Sequence, residues 1–88
     1  MSQDNIKSFE RESFKVLLSK LEEGKTVADA VFADAIYTAM SKFGMEEEKF
    51  RDAFGLSKGA VDRWSQLQNL PQPHIRPKII CWIRENLS

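Results

Sequence analysis

The sequence predicts an all-α protein, a compact five-helix bundle, on three observations. Apolar residues recur at spacings of three and four along every long segment. No segment sustains the alternation of apolar and polar residues that a half-buried strand requires. Glycine closes three segments, at Gly24, Gly44 and Gly55, and a proline-rich stretch separates the last two helices. The chain has 88 residues, 42% hydrophobic and 30% charged, which is ordinary for one soluble globular domain spanning 1–88. A core of that size leaves little room for a separate catalytic site.

The first helix is expected from about Asp4 to Glu23, within an N-terminal segment 1–24. Ile6, Phe9, Phe14, Leu17, Leu18 and Leu21 make its apolar stripe. Asp4 or Asn5 would cap its start, and Gly24 would end it. The second helix is expected from about Val27 to Lys42, with Thr26 as N-cap and Asp29 in the acidic third position. Val27, Val31, Ala35 and Ala39 share one face, with Phe32, Ile36 and Met40 beside it, so this helix should be central.

The third helix runs from about Glu46 to Phe54. Glu46, Glu47 and Glu48 crowd its first turn, where the positive end of the helix dipole favours carboxylates. Phe50 and Phe54, four apart, face inward together. The fourth helix follows Ser57, which has N-cap chemistry, and Val61 and Trp64 form its buried edge. The stretch Gln66 to Pro73 is a loop. The last helix runs from about Ile75 to Asn86 with Pro77 in its first turn, and Ile79, Ile80, Trp82, Ile83 and Leu87 supply its apolar surface.

Charge is balanced overall, with 13 basic and 13 acidic side chains, but unevenly placed. From Gly55 onward Lys58, Arg63, Arg76, Lys78 and Arg84 face only Asp62 and Glu85, so the end of the chain is basic and the beginning acidic. Cys81, the single cysteine, excludes an internal disulfide and reads as a small buried hydrophobe. No run is long and apolar enough for a membrane span, and the polar N-terminus is unlike a signal peptide, so a cytoplasmic location is expected. With one histidine, His74, and no Cys–His cluster, no metal site is expected. No nucleophile has a paired base and no glycine-rich phosphate loop exists. An enzyme, a cofactor and a small-molecule ligand are therefore not expected.

The segment from Phe50 to Trp64 carries the functional argument. Two short helices joined at Gly55, with Phe50, Phe54, Leu56, Val61 and Trp64 locking the corner, outline a helix-turn-helix within residues 46–66. Glu47 to Gln66 resembles the helix-turn-helix of the phage-repressor and Cro-like (XRE-type) DNA-binding family. Gly55 stands at the family's turn glycine, Leu56 at its buried turn residue, and Ser57 at the start of its recognition helix. Val61 and Trp64 stand at its two buried anchors. The resemblance extends through Leu70-Pro71-Gln72-Pro73 and the following apolar helix, covering about Val27 to Leu87.

That resemblance implies a lambda-repressor-like fold that binds double-stranded DNA sequence-specifically and regulates transcription. By position, Lys58 would reach a base edge or phosphate, and Arg63 a phosphate or guanine. Gln66, Gln68 and Asn69 would offer amides to bases or backbone. Ser57 would cap the helix and donate to phosphate. Gly59 and Ala60 would permit close approach, with Ala60 against a thymine methyl. Arg76 and Lys78 would extend the phosphate-binding surface. Two departures stand against the family pattern. Arg51 takes a place normally small, and Glu47 and Glu48 put carboxylates where amides meet phosphate. They favour a second reading, a protein-interaction module on the same fold. The N-terminal helix would pack on its own domain or pair with a second copy in a homodimer.

Overall fold

The computed structural model describes residues 2–24 and 27–87, with side chains placed from Ser8 onward. Among the described residues there are five helices and no strand: α1 (Ser2–Glu23), α2 (Asp29–Ser41), α3 (Glu47–Phe54), α4 (Ala60–Ser65) and α5 (Arg76–Asn86). No helix is long and apolar enough to cross a membrane. α1 packs mainly on α5, and α2 packs on α4 and α5. One apolar core forms where they meet, around Leu18, Phe32, Ile36, Phe50, Val61, Ile79, Ile80 and Ile83.

α1 buries only part of its expected stripe. Phe14 and Leu18 are in the core and Leu21 packs against it, whereas Phe9 is 73% and Leu17 47% exposed. The stripe is wider than the surface the core offers, so Phe9 and Leu17 face away. Phe14 is held by stacking on Phe43 at 5.1 Å, from the turn after α2. α1 already runs from Ser2, so Asp4 and Asn5 lie within the helix rather than at its cap; their side chains and that of Ile6 lie outside the described ones.

α2 begins later than its apolar pattern suggests. Its N-cap is Ala28, in extended conformation and without a side-chain cap, so Asp29 is the first helical residue. Thr26, the expected cap, lies outside the described residues. The buried arc is Phe32, Ala33, Ala35, Ile36 and Ala39. Val31 falls beyond its edge and is 41% exposed, while Val27 is buried as part of the segment preceding the helix.

α3 and α5 meet through aromatic edges. The rings of Phe50 and Phe54 stand at 4.8 Å and 5.3 Å from Trp82, both edge-on. Pro77 sits in the first turn of α5 as expected. Cys81 is only half-buried and has polar company, with Arg84 Nη2 3.6 Å from its sulfur. A hydrogen bond to Glu22, then desolvation, raise its thiol above the usual pKa, so it is a poor thiolate at neutral pH, but it is not the fully buried hydrophobe expected.

The largest departure is Arg76, expected on the phosphate-binding surface and found 5% exposed. Its Nε donates to the Pro71 carbonyl at 2.9 Å and its Nη1 to the Val27 carbonyl at 2.8 Å. Nη1 also meets Asp29 Oδ1 at 2.6 Å, and the guanidinium lies 5.7 Å from the Phe32 ring centroid. Asp29 is largely exposed, so its ion pair contributes little. The two backbone carbonyls matter more, since burying them unpaired costs about 1–3 kcal/mol each. Arg76→Ala should lower unfolding stability by about 2–3 kcal/mol in urea titrations. An unchanged midpoint would contradict this role.

Candidate nucleic-acid interface

Five residues, Gly55 to Gly59, connect α3 to α4. Gly55 takes the left-handed conformation (φ 65°) that ends α3. Its N–H and that of Leu56 both donate to the Arg51 carbonyl, at 2.8 Å and 3.2 Å. Gly59 repeats the left-handed conformation (φ 84°) and is itself the N-cap of α4.

Ser57 is therefore not the cap. Its carbonyl accepts from the Ala60 N–H at 3.2 Å, but its hydroxyl caps nothing. The side-chain partner at this helix start comes instead from α3: Glu47 Oε1 accepts the Gly59 N–H at 3.2 Å. The same oxygen lies 3.5 Å from Arg51 Nε. Glu47 and Arg51, two of the three residues that depart from the resembled pattern, thus form one bridge, which ties the first turn of α3 to the start of α4. An i,i+4 acid–base pair was the sequence signal for its first half. Nothing in the spacing indicated its reach to Gly59.

α4 is six residues long and is held from below. Val61 and Trp64 are buried, and Trp64 packs 5.7 Å from Phe32 of α2. The Trp64 indole donates to the Asn69 carbonyl at 3.1 Å, folding the next loop back beneath the helix. At the far end the Gln68 N–H closes on the Arg63 carbonyl at 2.7 Å. This turn puts Leu67 (φ 64°) and Asn69 (φ 49°) in the left-handed region. Asn tolerates that region through its short polar side chain; for Leu it is uncommon.

On the outer side, Ser57, Lys58, Gln66, Gln68 and Asn69 are exposed, and Gly59, Ala60 and Arg63 are half-buried. Ser57, Ala60, Arg63 and Asn69 line one open groove of about 510 Å³, together with Leu56 and Trp64. Arg63 folds over the start of the helix, with Nη2 3.5 Å from the Lys58 carbonyl. Gln66 is partly engaged, since its Nε2 donates to Asp62 Oδ2 at 3.0 Å. Lys78 is exposed on α5 but does not line the groove, and Arg76 is inside the protein.

The outward face therefore carries Lys58 and Arg63 against Asp62, with three amide side chains around them. His74 is exposed in the turn before α5. A second groove of about 370 Å³ adjoins this face between α2 and α4, lined by Tyr37, Met40, Asp62 and Gln66 among others. The sequence pattern gave Tyr37 no role, because a lone exposed aromatic on a core helix has no periodic partner. Among the described residues no acid, histidine and cysteine group is arranged to hold a metal.

The connection also gives a stability test. A Cβ on Gly59 would stand 3.1 Å from Arg63 Nη1, a flexible tip that can move aside, so the left-handed backbone dominates the cost. Gly59→Ala should destabilise by about 1–2 kcal/mol, measured by urea unfolding. Equal stability would mean that the connection readily adopts another path.

No family model, no curated protein and no solved structure matches this chain.

Proposed function

We propose that this protein binds double-stranded DNA and regulates transcription, with α3, its turn and α4 acting as a helix-turn-helix. The observation that carries the reading is the division of α4 into two edges. Val61 and Trp64 anchor one edge in the core. The other, with its flanking turns, presents Ser57, Lys58, Arg63, Gln66, Gln68 and Asn69. Hydroxyl, amide and cationic groups are the donors and acceptors that read base edges and grip phosphates. A helix such as α4 is about 10–12 Å across with its side chains, which a major groove about 12 Å wide admits. Its mounting supports the reading further. A recognition helix must not rock, and α4 is tied at its start by Glu47 and at its end by the Trp64–Asn69 hydrogen bond.

Arg76 is withdrawn from the phosphate surface, and Asp62 lies among the outward groups. These observations favour a second reading, in which the same face meets an acidic or polar protein surface. A weakly charged face still suits DNA if two copies act together, since each supplies only part of the affinity.

Fluorescence anisotropy with a pool of genomic duplexes across a salt series separates the two. The DNA reading expects binding at low salt that weakens as salt rises. Lys58→Ala combined with Arg63→Ala should abolish most of it and flatten the log–log salt slope by roughly 2. Equal binding by that variant, or no binding by the parent at low salt, would contradict the DNA reading and leave the protein-binding one.

A further inference from the structure

We infer that the outer face of α1 is a self-complementary surface on which a second copy of this chain docks antiparallel. Phe9 (73% exposed), Val16 (54%) and Leu17 (47%) project away from the core that Phe14 and Leu18 enter. Glu12, Ser13 and Lys20 lie on the same exposed side. Positions 9, 12, 13, 16, 17 and 20 recur at three- and four-residue steps, so they form one continuous strip along the helix. Leu17 and Phe9 also line a shallow groove of about 300 Å³ with Phe14 and Phe43, which carries the apolar surface onto the end of α2.

Charge decides the occupant and its direction. Glu12 and Lys20 lie on either side of Val16, each about 6 Å from it along the axis. A two-fold axis at Val16 with antiparallel helices sets each Glu12 opposite the Lys20 of the other copy and Val16 against itself. Parallel helices would instead set Glu12 against Glu12 and Lys20 against Lys20. The strip thus complements a second copy in one orientation only, as an isologous contact requires. In this register Phe9 falls opposite Glu23 of the other copy, within one turn of the aliphatic stem of its Lys20. Among the described residues Glu12 pairs with Lys15 at 3.8 Å, an exposed contact that competes weakly. The pairing needs no DNA. It would give two α4 faces on one particle, as half-site reading requires.

Analytical ultracentrifugation of the full chain over a concentration series, without DNA, tests this. The mass should rise to that of a dimer, and Val16→Glu should hold it at that of a monomer with an unchanged helical circular dichroism spectrum. Glu12→Lys and Lys20→Glu should each weaken self-association about 10-fold or more, and mixing the two variants should restore a dimer of one of each. A monomer at every concentration, or association unaffected by Val16→Glu and the charge reversals, overturns the pairing. A dimer without DNA affinity leaves the pairing standing and removes the DNA reading. DNA binding by a strict monomer does the reverse.

Discussion

The Arg76 guanidinium joins parts of the chain that are far apart in sequence. Val27 precedes it by 49 residues and Asp29 by 47, and both are met by one nitrogen at 2.8 Å and 2.6 Å. Its Nε holds the Pro71 carbonyl in the loop that follows α4. One side chain therefore fixes where α2 begins, where α5 begins, and how the loop between α4 and α5 returns. Phe32 stands beneath it and meets Trp64, so the anchoring of α4 depends on the same cluster. A buried cation is costly unless its donors are satisfied. Here carbonyls do most of that work, which makes the arrangement geometric as much as electrostatic.

Around this cluster the helices divide into buried and exposed faces. α4 turns Val61 and Trp64 inward and its polar groups outward, with its start held by Glu47 through the Gly59 amide. That carboxylate also explains how Arg51 is accommodated where a small residue is usual in the resembled family: Arg51 stays half-exposed and pairs with Glu47. α1 contributes the remaining apolar surface. Its inner side closes the core against α5, and its outer side leaves Phe9, Val16 and Leu17 exposed.

Local pattern made much of this legible. Phe50, Phe54, Val61 and Trp64 announced themselves by helical spacing on either side of Gly55, and the proline loop and Pro77 set the start of α5. What the pattern could not carry were decisions made by distant partners. Arg76 beside Lys78 reads as a basic surface, and only the fold brings Val27 to it. Ser57 has cap chemistry, but Glu47 reaches the competing amide first, and Gly59 bends the backbone so that the helix starts later. The apolar stripe of α1 was visible, yet periodicity gives its width and not which half meets α5. Of the residues the sequence placed on and around α4, Ser57, Ala60, Arg63 and Asn69 line one groove, whereas Lys78 stands on α5 and Arg76 is buried there.

The account rests on the outward edge of α4 being the surface that meets DNA. An amide chemical-shift titration of the labelled protein with a short duplex at low salt maps that surface residue by residue. The account predicts that perturbations concentrate from Ser57 to Asn69, while the Arg76 Nε–H signal stays fixed because its partners are internal. Perturbations confined to the exposed face of α1 or to the Tyr37 groove, with the Ser57–Asn69 amides unmoved, would contradict it.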